Sequence, residues 1–466
     1  MSTLTFEPVV RGRRHLHLRY RVGGFAFTTT YWYDTVDFGE LEERYGSDQM
    51  RRIEFHLLAF EANKALSLKP ATVDFGPYAD LVTKAFWEIW ETVFHNVWAV
   101  WRYENDLPDY KLPAPQPAPN ADIARVTVPV GDTPTLMLCG GGKDSLTSMK
   151  LLERGGIPYD AFVYSHSTYG RGSMQHELID GLLASCTPGR VHRAWVIDDG
   201  LDAPVVTVHP QLGLRRMIAA ETVSSYFQAL PLALAHGYTD VALGISRSTD
   251  EHNLTWDATG EDVNYLWGMS SIAEQRIHDY IRSHLASNVA VFHILRPIYD
   301  VNVFALLNRD LASVPATHSC AQLKPWCCRC AKCIYVWMNY VAWLPVETVA
   351  ATFEKNLFEI PENRTLLRKM LGLESYKPVD CVGTVSEARL AFLMCRRKGV
   401  SGPIADDIDL GPFKAEAAGV LDKYRAVAPL ASTMPERIGT AIEPQLAESA
   451  RRAAAIAASV LDIDAG

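Results

Sequence analysis

The chain lacks an excess of basic residues: 45 lysines and arginines stand against 54 aspartates and glutamates, a net charge of −9. Non-specific binding to nucleic-acid phosphates needs a basic surface, so we expect no nucleic-acid partner. The chain also has no uninterrupted apolar run of about 18 residues, which a membrane-spanning helix requires. Its first residues show no basic stretch followed by an apolar one, the pattern of a secretory leader. We therefore expect a cytoplasmic protein without a membrane span.

Cysteine is sparse except in one short segment. Five of the nine cysteines fall between Cys320 and Cys333. In a reducing cytoplasm, such crowding favours a metal site over disulfides. Four thiolates with six, two and two intervening residues predict a closed, structural zinc site, and the predicted ligands are Cys320, Cys327, Cys330 and Cys333. Cys328 is excluded because adjacent residues rarely bind one ion, and His318 is a fallback ligand.

The composition is that of an ordinary globular protein, with 48% hydrophobic and 21% charged residues, and 466 residues suit two or three domains. Residues 1–110 form the first predicted unit, an α+β domain. Two alternating apolar runs on either side of Gly23 and Gly24 predict a β-hairpin. Helices are expected near residues 48–66 and 78–103. Tryptophans at spacings of three and four in the second helix predict a packing face, with a substrate platform as the alternative.

A Pro-rich linker at residues 111–120 precedes the middle region, residues 121–335, in which apolar β-rich runs alternate with helical stretches. Strands are predicted near residues 135–139, 161–164, 193–197, 240–243 and 289–294. Strands separated by helices imply crossover connections, so we expect an α/β fold with a doubly wound parallel sheet. Ligands of such sheets bind beyond the carboxyl ends of the strands. Residues 336–466 are expected to be mainly helical and to end in a surface helix.

The most informative motif is Gly-Gly-Gly-Lys-Asp-Ser, which directly follows the first predicted strand of the middle region and begins a helix. It consists of Gly140, Gly141, Gly142, Lys143, Asp144 and Ser145. Glycines let the backbone approach a ligand, and the first N–H groups and the dipole of a helix attract an anion. The motif differs from a Walker A loop, in which four residues separate the first glycine from Gly-Lys-Ser/Thr. The sequence therefore predicts a phosphate-binding loop of another type.

A second polar loop follows the strand predicted at Asp240–Leu243 and so lies on the same edge of the sheet. Arg247 suits a phosphate or carboxylate, because a guanidinium group matches the geometry of both. Asp250, Glu251 and His252 could hold a metal ion or move protons. Other candidates, for which an ordinary polar role is the alternative, are Tyr164, His166, Glu261, Asn264, Tyr265 and Arg296.

The glycine motif resembles the PP-loop of the ATP pyrophosphatase superfamily, although Gly140 stands where that family usually has its first serine. A zinc knuckle after such a domain also occurs in 7-cyano-7-deazaguanine synthase. Further matches are Arg247 with Ser248, Glu251 and Asn253; Glu261 with Asn264; the Trp326-Cys327 run of the cysteine segment; and Lys-Pro-Val-Asp-Cys-Val-Gly at residues 377–383. Over residues 136–389 this set resembles the UDP-N-acetylmuramoyl-L-alanyl-L-glutamate epimerases.

The resemblance implies an isomerase that uses ATP to adenylate the terminal glutamate of a nucleotide-sugar peptide and inverts it to the D form, releasing AMP and pyrophosphate. It implies Mg²⁺ on Asp144, a structural Zn²⁺, and nucleotide contacts from the glycine motif and Arg247. The implied catalytic residues are Asp144, Arg247, Asp250, Glu251 and Cys381, and the identity of the proton-transfer groups stays open, with His166 and His252 also candidates. The alternatives are a deazaguanine synthase, a tRNA-modifying adenylase, an epimerase of another L-Glu-terminated peptide and a non-catalytic nucleotide sensor.

Overall fold

The computed structural model describes residues 2–112, 115, 118, 124–201, 221–320 and 322–463. The linker predicted at residues 111–120 lies largely outside the described residues. The N-terminal region contains the predicted hairpin and helices. Its elements are β1 Thr3–Phe6, β2 Val10–Arg11, β3 His15–Val22, β4 Phe25–Tyr33, α1 Phe38–Tyr45, α2 Ser47–Ala62, β5 Thr72–Asp74, α3 Lys84–Val97 and α4 Ala99–Glu104.

The aromatic face predicted near residues 78–103 is a packing face. Trp90, Trp98 and Trp101 are buried. The Trp90 ring meets the Phe6 ring of β1 edge to face, with 6.4 Å between centroids. Aromatic pairs of this geometry stabilise a core beyond the area that they bury. The face therefore fixes α3 on the N-terminal strands.

The middle region alternates strands and helices as predicted. Its elements are β6 Thr135–Cys139, α5 Lys143–Arg154, β7 Asp160–His166, α6 Gly172–Leu183, β8 Val191–Asp198, α7 Glu221–Gln228, α8 Leu230–His236, β9 Asp240–Leu243, β10 Leu254–Trp256, β11 Glu261–Val263, α9 Ser271–His284, β12 Ala290–His293 and α10 Asp300–Leu306. Five of these strands form a parallel array in the order β12-β9-β6-β7-β8.

The sheet does not end at β8. Strand β4 pairs antiparallel with β8, with Trp32 opposite Trp195, and the order continues through β3 and β1 to β5. The exposed edges of the hairpin and of the parallel array thereby satisfy each other's backbone groups. The middle-region strands are thus parallel as predicted, and the antiparallel N-terminal strands extend them into one mixed sheet. The domain limits at residues 110 and 335 stay a prediction, and one sheet crosses the first of them.

Helices cover both faces of the parallel strands, which are buried on each side. Along β6, Met137 and Cys139 join the core beneath α5 and α6, whereas Leu136 and Leu138 join the core beneath α7 to α9. This alternation is the period of two that a strand imposes on its side chains. The doubly wound arrangement of the middle region is thus confirmed.

The C-terminal region is mainly helical, as predicted. Its helices are α11 Ala331–Trp343, α12 Val346–Thr352, α13 Arg364–Met370, α14 Val385–Arg397, α15 Gly411–Arg425 and α16 Glu436–Leu461. The last helix, predicted from Glu443 to about Leu461, already begins at Glu436 and is not a plain surface helix. It buries one face, including Ile438, Ile442 and Leu446, in the same core as α5. Among the described residues, no helix is both long enough and apolar enough to cross a bilayer.

Candidate active site and metal centre

A cleft of about 290 Å³ opens at the carboxyl ends of β6 and β9. The strand order changes direction here, because β7 lies on one side of β6 and β9 on the other. Loops that leave such neighbouring strands in opposite directions open a crevice between them, which is where α/β proteins bind ligands. Predicted site residues on the cleft wall include Gly140, Gly142, Asp144, Ser145 and Cys381. The structure thus brings the glycine motif and Cys381 together.

The glycine motif adopts a tight turn into α5. Gly141 has φ +83°, a conformation that favours glycine, and a Cβ atom there would overlap the His318 ring. A Cβ atom on Gly142 would lie 2.6 Å from Oγ of Ser319. The Gly140 N–H donates to Oγ of Ser145 at 3.1 Å. A segment that crosses the loop therefore requires glycine at position 141 and crowds position 142, and this segment leads into the cysteine cluster.

Lys143 lies behind the loop, with its side chain 1% exposed. Its ammonium group is 2.6 Å from Oδ1 of Asp144 and 3.2 Å from Oδ1 of Asp300, which also accepts from Ser246 at 2.6 Å. Burial lowers the pKa of Lys143, but the two carboxylates outweigh it and raise the pKa above its ordinary value. The lysine therefore neutralises charge inside the protein and orients Asp144, which faces the cleft.

Glu387 is a buried acid beneath the cleft that the sequence analysis missed. Its carboxylate accepts from Ser248 Oγ at 2.8 Å, from the Val301 N–H at 3.2 Å and from the Thr384 N–H at 2.7 Å. Burial, with the nearby charge of Asp300, raises the pKa of Glu387 to about 7. The residue ties α14 to the loop after β9. Its Thr-x-x-Glu capping box was the only sequence signal available, and that signal predicts a helix start.

Cys381 lies on the cleft wall beside Asp380, and both belong to the motif at residues 377–383. The carboxylate of Asp380 accepts the backbone N–H of Cys381 at 2.7 Å and that of Lys332 at 3.1 Å. Burial raises the pKa of Asp380 above its usual range. Asp380 therefore fixes the Cys381 turn against the first turn of α11. The position of Cys381 fits the predicted catalytic role, which stays a prediction.

The other predicted catalytic residues are not among the described residues that line the cleft. They are Arg247, Asp250 and Glu251. Oδ1 of Asp250 accepts the Ser271 N–H at 2.7 Å, where α9 begins. Oε1 of Glu251 accepts the Val385 N–H at 3.0 Å, where α14 begins. Both acids stabilise a helix N-terminus, where negative charge is favoured. The Arg247 guanidinium packs over the Tyr299 ring, 5.4 Å from its centroid.

Three weaker candidates also make contacts within the protein. The His166 side chain is buried and accepts a backbone N–H two residues further on, at 3.1 Å. Glu261 pairs with Arg102 at 2.7 Å, and Arg296 pairs with Glu274 at 3.0 Å. These contacts hold the loops around the cleft in place. Tyr164 differs from them, because it lies on the cleft wall.

The predicted zinc ligands converge. Their four sulfur atoms all lie within 4.8 Å of one another, and Cys320–Cys330 and Cys327–Cys333 are each 3.8 Å apart. A tetrahedral zinc ion with Zn–S bonds of about 2.3 Å sets its sulfur atoms about 3.8 Å apart. Backbone N–H groups of residues 322, 323, 329 and 333 point at these sulfurs at 3.3–3.4 Å. The cluster could therefore hold a structural metal ion such as zinc.

The two other residues considered as ligands lie outside the cluster. Cys328 has φ +60°, and its sulfur is not one of the four that lie together. The His318 ring instead packs on Gly141 and is 1% exposed. Burial lowers the pKa of His318 to about 4, so the imidazole is neutral at pH 7. The cluster thus consists of the four cysteines predicted from their spacing.

Together, the fold and the cleft define an α/β protein with a glycine loop at the switch point of its sheet and a four-cysteine cluster beside it. Residues 312–401 match the family described as the MurL C-terminal domain. This match covers the cysteine cluster, Cys381 and Glu387.

The chain is similar to three curated proteins named UDP-N-acetyl-alpha-D-muramoyl-L-alanyl-L-glutamate epimerase. It is 27% identical over 314 residues to that of Salinispora tropica, with 63% of this chain and 62% of the relative covered. For those of Micromonospora sp. and Xanthomonas oryzae pv. oryzae the identity is 26% over 311 and 266 residues, with 63% and 55% of this chain and 64% and 55% of the relatives covered. The chain thus spans about three fifths of the length of the first two. The resemblance predicted from the motifs is confirmed. The relatives are named epimerases, and an epimerase is an isomerase, the predicted class of enzyme.

Proposed function

We propose that the protein is an ATP-dependent epimerase that converts the terminal L-glutamate of UDP-N-acetylmuramoyl-L-alanyl-L-glutamate to D-glutamate. The observation that carries the proposal is the shared cleft, which the glycine loop, Asp144 and Cys381 line together. The chain is also similar to proteins named for this epimerisation. Nucleotide binding of the PP-loop type, a cytoplasmic location and a role in making a peptidoglycan precursor belong to the same proposal.

The chemistry explains why such an epimerase needs ATP. A free carboxylate resists loss of the neighbouring α-proton, because the carbanion would form beside a negative charge. In the proposed reaction, a glutamate carboxylate oxygen attacks the α-phosphorus of ATP and pyrophosphate leaves. The acyl adenylate can then lose its α-proton as an enolate and regain a proton on the opposite face. Water finally cleaves the acyl adenylate to D-glutamate and AMP.

The residues of the cleft fit a nucleoside triphosphate. The backbone of the glycine loop and the N-terminus of α5 provide N–H donors, and the Ser145 hydroxyl lies beside them. The Asp144 side chain is 25% exposed and faces the cleft, so it would hold the magnesium ion that phosphate oxygens require. Magnesium would neutralise phosphate charge there. In this proposal the Lys143 ammonium serves only to orient Asp144.

Cys381 is the candidate proton-transfer group that shares the cleft with the glycine loop. A thiolate can accept a proton and a thiol can return one, as general acid–base catalysis requires. The partner group that acts on the opposite face is not assigned. Zinc in the four-cysteine cluster belongs to the proposal as a structural ion, because four protein sulfurs leave no open coordination position.

A screen for pyrophosphate release tests the proposed acceptor. The purified chain, ATP and Mg²⁺ are incubated with L-Glu-terminated dipeptides, with and without the UDP-sugar. We expect release with the UDP-sugar peptide and little with the free dipeptide. Release with the free dipeptide alone would assign another peptide substrate. Release that depends instead on a carboxydeazaguanine and ammonia would replace the epimerase proposal with a synthase.

A further inference from the structure

The lysine of the glycine motif leaves the phosphate site without a cation from the loop itself. Lys143 is buried, paired with Asp144 and Asp300, and its ammonium lies 4.7 Å from the Phe304 ring centroid. Asp144 and Asp300 both line the cleft, and so does Asp380. The Lys143 charge is therefore shared with Asp144 and Asp300 and is not directed at a phosphate chain. Beyond the magnesium ion proposed on Asp144, positive charge for an anionic ligand must come from elsewhere on the wall.

Two lysines of the segment that carries the cysteine cluster can provide this positive charge. Among the described residues that line the cleft, the lysines and arginines are Lys324 and Lys332 alone. Lys324 lies 5.3 Å from the ring centroid of Tyr169, another wall residue. Lys332 sits in the first turn of α11 between two cluster cysteines, with its backbone N–H bound to Asp380. The cysteine cluster thus fixes the backbone that carries both lysines.

The same segment brings a hydroxyl group to the glycine loop. The His318 N–H donates to the Gly141 carbonyl at 2.9 Å and holds the segment on the loop. Ser319 follows, lines the cleft, and approaches Gly142 so closely that a Cβ atom has no room. The buried His318 ring also lines the cleft, and its Nε2 has no hydrogen-bond partner among the described residues. An unpartnered buried polar atom beside the loop indicates a place for a polar ligand.

We propose that Ser319, Lys324 and Lys332 form the second half of a phosphate site, opposite the glycine loop. Ser319 donates its hydroxyl to a phosphate oxygen, and Lys324 and Lys332 neutralise the phosphate charge. This inference rests on the nucleotide-binding part of the proposed function and adds its cationic wall. The cysteine cluster then positions ligand-binding residues as well as stabilising the fold.

Calorimetric titration of the full, zinc-loaded chain with MgATP and with inorganic pyrophosphate tests the proposal. Lys324→Gln and Lys332→Gln are each expected to weaken the binding of both ligands about 10-fold or more, as loss of a charged contact does. Each variant should also show a weaker dependence of affinity on salt. Lys355→Gln is the matched control, since this exposed lysine lies near Cys328 and away from the cleft. It should bind like the wild type.

Ser319→Ala and a rescue variant test the hydroxyl. Ser319→Ala should weaken pyrophosphate binding, and Gly140→Ser should restore it in the same chain, because a Cβ atom at Gly140 meets no atom within 4 Å. Continued weak binding would assign the loss to a distorted loop and overturn the role of the hydroxyl. Bound zinc per chain should equal the wild-type value in every variant.

The outcomes separate the two proposals. A wild type that binds ligand, with both lysine variants binding equally well, would overturn this inference and leave the nucleotide site of the proposed function intact. A wild type that binds neither MgATP nor pyrophosphate would contradict the proposed function, and this inference with it. Weaker binding together with lost zinc would show a structural effect of the lysines and would also overturn the inference.

Discussion

The backbone N–H of His318 donates a hydrogen bond to the carbonyl of Gly141 at 2.9 Å. His318 lies two residues before Cys320, the first ligand of the cysteine cluster. The bond therefore joins the predicted metal site directly to the glycine loop. A change in the cluster should therefore change the conformation of the loop, although the sulfur atoms themselves need not touch a ligand.

Loss of one cluster thiol should weaken both the fold and the nucleotide site. Cys330→Ser removes a buried ligand, and we expect loss of bound zinc and a fall of about 3 kcal/mol or more in the free energy of unfolding. MgATP affinity should fall in parallel. Zinc analysis, denaturant unfolding and calorimetry measure the three effects. Cys328→Ser is the control, and equal effects of the two variants would contradict the assigned ligand set.

The two first glycines of the loop should differ in their tolerance of a methyl group. Gly141→Ala places Cβ in the His318 ring and strains a backbone with φ +83°, so we expect a loss of about 1–3 kcal/mol in stability. Gly140→Ala meets no atom within 4 Å and should leave stability nearly unchanged. Denaturant unfolding of the two variants measures the difference. Equal stabilities would contradict the close approach of His318 to the loop.

The contribution of Glu387 to the stability of the chain should fall as the pH rises from about 4.5 to about 7. Its pKa is raised from an ordinary 4.5 to about 7, mainly by burial. The unfolded chain therefore ionises first, and the native state loses about 3 kcal/mol over this range. Glu387→Gln cannot ionise, so it should remove this part of the pH dependence, whereas the exposed Glu362→Gln should not. Equal slopes for both variants in unfolding experiments at several pH values would refute the assignment.

Cys381→Ala should separate proton transfer from activation of the substrate. If the thiol moves the α-proton, solvent deuterium uptake at Cα falls about 100-fold or more, whereas AMP formation persists. Mass spectrometry of the product and an AMP assay measure the two steps. Cys186→Ala, a half-buried thiol away from the cleft, is the control. Undiminished deuterium uptake in Cys381→Ala would remove this residue from the mechanism.

Local sequence patterns predicted much of the fold. The strand at Asp240–Leu243 was located to the residue, since short apolar runs between helical stretches mark buried parallel strands. The cysteine cluster was also predicted, because its ligands are near neighbours in sequence. By contrast, the pairing of β4 with β8 depends on contacts between distant segments, and no local pattern encodes it.

The site was predicted less completely, for a physical reason. The sequence predicted that Lys143 and Arg247 contact a ligand at the edge of the sheet. In the structure the Lys143 ammonium is buried and pairs with Asp144 and Asp300. Arg247 packs on the ring of Tyr299. The direction of a side chain depends on its neighbours in space. Glu387 escaped notice for the same reason, because its capping motif predicts a helix start and gives no sign of the cleft above it.

The most direct test of the central claim is an incubation of the chain with UDP-N-acetylmuramoyl-L-alanyl-L-glutamate, ATP and Mg²⁺ in D₂O. The proposal predicts D-glutamate that carries one deuterium at Cα, with AMP and pyrophosphate formed in step, and loss of all three in Asp144→Asn. Chiral analysis of the hydrolysed product with mass spectrometry measures the outcome. Recovery of unlabelled L-glutamate without AMP from a folded, zinc-loaded chain would contradict it.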